Sequence, residues 1–182
     1  MKSVLKYTNL TRQTIRLMSG KPQVLRVGSF PNATKEWEAL AQYAEILDLE
    51  SKTREEFLSD LKGKYSKIVS IARTFESIAY TGRFDEEIAK ALPESVKSLS
   101  HNGAGYDQID VQPFTDRGIQ VSNVTEPVEA PTADTAVYLT IAATRNFQIG
   151  HNLTALGVWS KEKTKAAGAP LGHSPEGRIL GI

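Results

Sequence analysis

The chain has 182 residues, no cysteine, and 22 basic residues against 21 acidic ones, which leaves a formal charge of +1. A charge so close to neutral excludes a protein that grips a nucleic-acid backbone with a basic surface, and the lack of cysteine excludes disulfide scaffolds and thiolate metal sites. The longest nearly uncharged apolar stretch, residues 135–144, is about half of the roughly 20 residues that a membrane helix needs. We therefore expect a globular protein with no nucleic-acid, membrane or metal partner.

The first 20 residues differ chemically from the rest of the chain. Residues 1–35 hold seven basic side chains and no acidic one, and hydroxyl and apolar residues are interspersed through residues 1–20. This composition is typical of a mitochondrial transit peptide, but a disordered basic tail ahead of the first strand has the same composition. Both interpretations stay open, so the expected location is cytoplasmic or mitochondrial.

From Lys21 onward, apolar runs that suit strands alternate with segments of helical periodicity. This order predicts an α/β domain with a largely parallel sheet. The predicted strands are residues 23–30, 67–72, 96–100 and 119–122. The predicted helices between and after them are residues 35–47, 53–61, 85–92 and a short one from an Asp110 N-cap, with Pro113 in its first turn, to Gly118.

A longer helix is predicted from Pro131 to about Phe147. Its apolar side chains point in nearly every direction around the axis, so we expect the helix to be buried on several sides. A loop rich in glycine and proline follows over residues 166–177, and residues 178–182 are predicted to begin a strand.

The strongest candidate for a binding site follows the third predicted strand, in the segment His101-Asn102-Gly103-Ala104-Gly105-Tyr106-Asp107-Gln108-Ile109-Asp110. Two glycines that flank Ala104 let backbone N–H groups approach an anion without an intervening Cβ. The third glycine of a dinucleotide-binding turn would fall at Gln108, and the next helix is short, which argues against a pyrophosphate. The residues therefore predict a site for a smaller anion such as a carboxylate, with a tight glycine turn that binds nothing as the alternative.

This segment and its surroundings resemble the amino-terminal half of the D-isomer-specific 2-hydroxyacid dehydrogenases, most of all the fungal glyoxylate (hydroxypyruvate) reductases. The resemblance runs from about Pro22 to Ile182. It implies a flavodoxin-like (Rossmann-like) substrate domain over residues 21–125, then the start of an NAD(P)-binding domain over residues 126–182: a crossover helix at about 132–147, a loop and a first strand. The segments that carry it are Tyr80-Thr81-Gly82-Arg83-Phe84-Asp85-Glu86-Glu87, Ala91-Leu92-Pro93, the glycine segment with Val111, Ile119-Gln120-Val121-Ser122-Asn123-Val124 and Thr132-Ala133-Asp134-Thr135.

The resemblance also assigns roles to single residues. The backbone N–H groups of Ala104 and Gly105 would hold the substrate carboxylate, and Gly103 would shape the turn. Arg73 and Thr74, at the edge where open α/β sheets bind ligands, are candidates to line the same cleft, with an exposed, solvated Arg73 as the alternative. Thr132 would lie near the nicotinamide, and the crossover helix would contribute to a homodimer, with a helix buried purely in the core as the alternative.

A complete relative is an NAD(P)-dependent oxidoreductase that reduces glyoxylate or hydroxypyruvate to the 2-hydroxy acid by hydride transfer from NADPH or NADH. In this chain we expect no catalytic residue, because the family's catalytic Arg, Glu and His and its dinucleotide turn lie beyond Ile182. We therefore do not expect it to bind the cofactor alone. Among its histidines, His101 is expected to be a structural loop residue, and His151 and His173 to lie on the surface. The chain is thus expected to supply the substrate-carboxylate loop of such an enzyme, with a truncated, non-catalytic binding or dimerisation module as the alternative.

Overall fold

The computed structural model describes residues 20–158 and 170–181. Except for Gly20, the segment interpreted as a transit peptide or basic tail lies outside the described residues, as do residues 166–169 of the predicted loop. The chain divides into two compact units between Thr125 and Glu126.

The first unit is built on one sheet of five strands that pair in parallel throughout, in the order β2-β1-β3-β4-β5. The predicted α/β fold with a parallel sheet is confirmed, and this strand order is that of flavodoxin-like proteins. The strands are β1 (Gln23–Val27), β2 (Glu45–Asp48), β3 (Ile68–Thr74), β4 (Ser98–Asn102) and β5 (Gln120–Ser122). The helices are α1 (Thr34–Ala41), α2 (Arg54–Lys62), α3 (Ile78–Thr81), α4 (Glu86–Ala91) and α5 (Val111–Asp116), with a 3-10 turn at Phe75–Ser77.

The prediction of a helix over residues 35–47 is wrong in its second half. Helix α1 ends at Ala41, and Glu45–Asp48 form the edge strand β2. Ala44 and Leu47 continue the helical spacing of Trp37 and Leu40, which made the segment look like one helix. The ladder with β1 decides otherwise, since the N–H of Glu45 donates to Pro22 O and the N–H of Leu49 donates to Arg26 O, each at 2.9 Å.

The hydrophobic core lies on one face of the sheet. Alternate strand residues such as Leu25, Ile71 and Leu99 are fully buried there against apolar side chains of α2, α4 and α5. The opposite face carries mostly small or polar residues, with Val24 and Ile46 as apolar exceptions, and Arg26 on that face lies 5.2 Å from the centre of the Trp37 ring of α1. Helix α1 itself has no buried residue.

The caps predicted for α5 are half confirmed, whereas α2 and α4 carry side-chain caps that the sequence analysis did not identify. Thr53 and Asp85 cap α2 and α4 by accepting from the N–H groups of Glu56 and Ile88. Gly118 has a φ of +68° after α5, as an αL stop requires. Asp110 does occupy the N-cap position of α5, but its carboxylate makes no cap hydrogen bond and accepts from Arg83 instead.

The second unit contains α6 (Glu126–Thr144) and α7 (Phe147–Ala155). Helix α6 begins five residues before the predicted start at Pro131, and it ends where Asn146 takes a left-handed φ of +56°. None of its residues is buried, contrary to the prediction that it is buried on several sides. Residues 178–181 form no strand either, because a strand needs a neighbouring strand as hydrogen-bond partner and the described part of this unit contains none.

None of the described helices combines the length and apolar character needed to cross a bilayer.

Candidate functional site

The glycine-rich segment forms a loop between the carboxyl end of β4 and the start of α5; we call residues Gly103–Asp110 the glycine loop. Its far end is held by Phe84, which forms a parallel bridge with Ile109. The Phe84 N–H donates to Gln108 O, and the Asp110 N–H donates to Phe84 O, both at 2.9 Å. Backbone pairing therefore fixes the end of the loop that leads into α5.

The backbone polar groups of the loop are used asymmetrically. The carbonyls of Gly103, Ala104 and Gly105 accept hydrogen bonds from Val124 N (3.0 Å), Asn123 Nδ2 (2.8 Å) and His101 Nε2 (3.0 Å). No described residue accepts from the N–H groups of Ala104 or Gly105, and both residues are exposed. The predicted glycine turn therefore leaves two exposed backbone donors without an acceptor among the described residues.

The buried side chain of His101 packs against the turn and binds the Gly105 carbonyl. The residue is the fourth of β4 and is 2% exposed, and a Cβ added at Gly103 would lie 2.7 Å from its Nε2. A side chain at position 103 would therefore force the buried imidazole to shift. His101 is thus a buried residue of strand β4 and not the loop residue that the sequence predicted, while His151 and His173 are exposed, as expected.

The pKa of His101 is lowered from its ordinary value of 6.5, first by burial and then by the positive charge of Arg73 on the neighbouring strand. The neutral ring at Nε2 donates to Gly105 O, and protonation would place a second cation beside Arg73. Because the folded state binds this proton more weakly than the unfolded state, the stability that neutral His101 provides is present above pH 6.5 and is lost as the pH falls through the lower folded pKa.

We expect the melting temperature to fall as the pH is lowered from about 7.5 to about 5.5. Over this range the free energy of unfolding should decrease by at most about 1.4 kcal/mol per pH unit for one proton. Replacing His101 by Gln keeps a donor near Gly105 O and removes the titration, so the fall should shrink. The matched variant His151→Gln, at an exposed position, should show the same fall as the unmodified chain. Thermal unfolding followed by circular dichroism measures this, and equal falls in all three proteins would contradict it.

Arg73 is completely buried, so the alternative of an exposed, solvated Arg73 is wrong. Its Nε donates to Ser77 Oγ at 3.1 Å, its Nη2 donates to Gln108 Oε1 at 2.5 Å, and its guanidinium carbon lies 5.0 Å from the centre of the Phe84 ring. The side chain therefore contacts the interior side of the glycine loop. Thr74 is also buried, and its Oγ1 lies against Gly28.

A second arginine holds the loop from outside. The Nε of Arg83 donates to Asp110 Oδ1 at 3.0 Å, and its Nη1 donates to the carbonyl of Asp107. This contact explains why the Asp110 carboxylate does not cap α5.

A cavity of about 460 Å³ opens at the carboxyl ends of β1, β3 and β4, beside the start of the glycine loop. Arg73 and Thr74 do not line it, and neither do Ala104 and Gly105. The sequence analysis did not predict this cavity, because its position depends on the order of the strands. The sheet order reverses between β1 and β3, and ligands of open α/β sheets bind at such a point. The lining residues are Phe30, Pro31, Asn32, Ala33, Ala72, Ser100, His101, Asn102 and Val124.

The described residues do not fit a dinucleotide. Gln108, at the place of the third glycine, is 8% exposed and bound to Arg73, and helix α5 has only six residues. No other described turn from a strand to a helix carries two glycines. Thr132, the residue expected near the nicotinamide, lies exposed on α6 in the second unit.

Comparison with known proteins gives consistent matches. Residues 27–168 match the model of the D-isomer specific 2-hydroxyacid dehydrogenase catalytic domain. The chain is 47% identical to glyoxylate reductase 1 of Saccharomyces cerevisiae, over 91% of this chain and 48% of that protein, and 39% identical to 4-methyl-2-oxopentanoate reductase A of Aspergillus oryzae, over 88% and 47%. The crystal structure of a glyoxylate reductase from Paecilomyes thermophila superposes with a TM-score of 0.79 at 37% identity, over 88% of this chain and 47% of that one. The chain thus spans about half the length of the relatives it matches.

Proposed function

The chain belongs to the D-isomer-specific 2-hydroxyacid dehydrogenases, a family of NAD(P)-dependent oxidoreductases, and from this premise we propose that it is the substrate-holding part of a 2-oxo acid reductase. The substrate is a small 2-oxo acid, glyoxylate or hydroxypyruvate, which is reduced to the 2-hydroxy acid. NADPH or NADH supplies the hydride in the complete protein. The described residues do not fit the pyrophosphate of a dinucleotide, so within this chain we keep only the exposed Thr132 of α6 as a candidate contact to the nicotinamide.

The observation that carries the proposal is the orientation of the glycine loop. The carbonyls of Gly103, Ala104 and Gly105 accept hydrogen bonds from other residues of the first unit, while the N–H groups of Ala104 and Gly105 have no acceptor among the described residues. A carboxylate that accepts from both N–H groups would be fixed in position, with its 2-oxo carbon held at a defined place for reaction. The role of this chain is binding and orientation of the substrate.

We include in the proposal that α6 contributes to a homodimer. The second unit exposes several large apolar side chains that a partner surface would cover. They include Val137 (56% exposed), Tyr138 (64%), Leu139 (57%) and Phe147 (50%).

The experiment is a titration of the ¹⁵N-labelled chain with glyoxylate, followed by amide chemical shifts. We expect the Ala104 and Gly105 amides to shift most, and we expect Gly105→Val to abolish those shifts. A Cβ at residue 105 would lie 3.2 Å from Asp107 Oδ2, so the larger side chain forces the glycine loop to rearrange beside its free N–H groups.

Ala104→Ser is the matched control, because it keeps both N–H groups and adds only a hydroxyl. It should bind glyoxylate with little change. If glyoxylate shifts no amide of the glycine loop, or if Gly105→Val binds as the unmodified chain does, the loop does not hold the substrate. The melting temperature of each variant establishes that it is folded.

A further inference from the structure

Arg73 is a cation inside the protein without an anionic partner. Its side chain is 0% exposed, and its hydrogen-bond partners, Ser77 Oγ and Gln108 Oε1, are both neutral. Its Nη1 has no partner among the described residues. The ion pairs of the described chain involve other cations, such as Arg54 and Arg83. A buried charge that is left unpaired is costly to a fold and needs a physical reason.

The charge persists at neutral pH. Burial lowers the pKa of Arg73 to about 10, and no carboxylate acts on it in the opposite direction. The guanidinium is therefore protonated under physiological conditions, stacked on Phe84 in an environment that screens its field poorly.

The location of this charge relates it to the glycine loop. Arg73 pairs in register with His101, the residue that supports Gly105, and it binds Gln108 within the loop itself. The loop thus has a buried cation on its inner side and free N–H groups at Ala104 and Gly105. Both features favour a negative charge at the outer side of the loop.

We propose that Arg73 is a positioning residue of the anion site and that its charge is left unpaired so that the bound carboxylate serves as its counter-charge. It acts on the ligand through Gln108, which keeps the loop in shape, and through its field, without a direct contact. This inference rests on the proposed function, because it requires that the glycine loop bind a carboxylate.

The decisive variant is Gln108→Glu, which places a carboxylate next to Arg73 while keeping the shape of the side chain. An ion pair with Arg73 should raise the melting temperature, because the buried cation gains a partner. The same ion pair should weaken glyoxylate binding by about tenfold, because the field at the loop is neutralised. If Arg73 has only a structural role, Gln108→Glu should be more stable with unchanged glyoxylate affinity. Melting temperature and affinity measured together therefore distinguish a structural role from a positioning role.

Gln112→Glu is the matched control, since Gln112 is exposed on α5 and the variant adds the same charge outside the loop. It should leave glyoxylate affinity within about twofold. If Gln108→Glu distorts the loop, a second pair of variants still tests the role of the charge. Arg73→Lys keeps the positive charge, whereas Arg73→Met removes it. We expect Arg73→Lys to bind glyoxylate more tightly than Arg73→Met.

Glyoxylate affinities come from the amide titration and stabilities from thermal unfolding of the same samples. Weaker binding by a more stable Gln108→Glu chain, with Gln112→Glu unaffected, supports the inference. Unchanged affinity of Gln108→Glu, or equal affinities of Arg73→Lys and Arg73→Met, overturns it while the proposed function stands. If the unmodified chain shows no glyoxylate-dependent shift in the glycine loop, the proposed function fails and the inference fails with it.

Discussion

Replacing Gly28 with alanine is expected to lower the free energy of unfolding by about 3–5 kcal/mol, from backbone strain together with steric overlap. Gly28 follows β1 with a φ of +106°, a conformation that residues with a side chain rarely adopt. A Cβ there would lie 2.1 Å from Thr74 Oγ1, which is far inside the contact distance. Because Thr74 is buried at the end of β3, neither side can yield without moving the sheet.

Two further variants separate backbone strain from steric overlap with Thr74. Gly118 has a φ of +68° and open space around it, so Gly118→Ala should show strain alone, about 1 kcal/mol. The double variant Gly28→Ala with Thr74→Ala removes the overlapping hydroxyl and should recover more than 1 kcal/mol relative to Gly28→Ala. Urea unfolding measures all three. A cost at Gly28 no larger than that at Gly118 would mean that the contact with Thr74 is unimportant.

Replacing Arg54 with alanine is expected to lower the free energy of unfolding by about 2–4 kcal/mol, because several charge-assisted hydrogen bonds are lost together. Arg54 Nη1 donates to the carbonyls of Thr81 (3.0 Å) and Arg83 (2.8 Å), and its Nη2 donates to Asp85 and Glu87. Burial alone would lower the pKa of Arg54, but its bonds to Glu87 and Asp85 outweigh burial and raise it.

The segment that Arg54 holds leads directly into Phe84, the residue that pins the glycine loop. We therefore expect Arg54→Ala also to increase hydrogen exchange at the Asp110 amide, which donates to Phe84 O. Arg54→Lys should restore less than half of the loss, since one ammonium group cannot reach both carbonyls and both carboxylates.

Arg26→Ala is the matched control for Arg54→Ala. Arg26 also makes a two-point contact with a carboxylate, to Asp48 at 2.5 and 2.8 Å, but that carboxylate is 63% exposed. The pair should therefore contribute only about 1 kcal/mol. Chemical denaturation compares the two variants, and equal losses would show that the bonds of Arg54 to the Thr81–Glu87 segment add nothing.

Sequence patterns identified most of the elements that form the core of the sheet. Strands β1, β3, β4 and β5 are recognisable as short apolar runs, and Gly118 marks the end of α5 through its left-handed φ. The edge strand β2 was missed because a four-residue strand after a helix has too few residues to establish a period of two. Its conformation depends on hydrogen bonds to β1, some 20 residues earlier in the chain.

For helix α6, the apolar pattern of the sequence did not predict the observed burial. Apolar residues around a whole helix predict that something must cover them, but not which surface does so. In the described chain the helix is exposed, and it begins at Glu126, so Pro131 lies inside it.

The position of the glycine loop could be predicted from the sequence, because Gly103 and Gly105 directly after a strand indicate free backbone donors. Its conformation also depends on contacts with distant residues such as Phe84 and Val124. The burial of the Arg73 side chain, by contrast, was decided only by the tertiary structure. A charged residue at the end of a strand is normally exposed, but Ser77, Phe84 and Gln108, from three separate segments, converge to enclose it. Such an enclosure depends on how distant segments pack, so no pattern around position 73 could have revealed it.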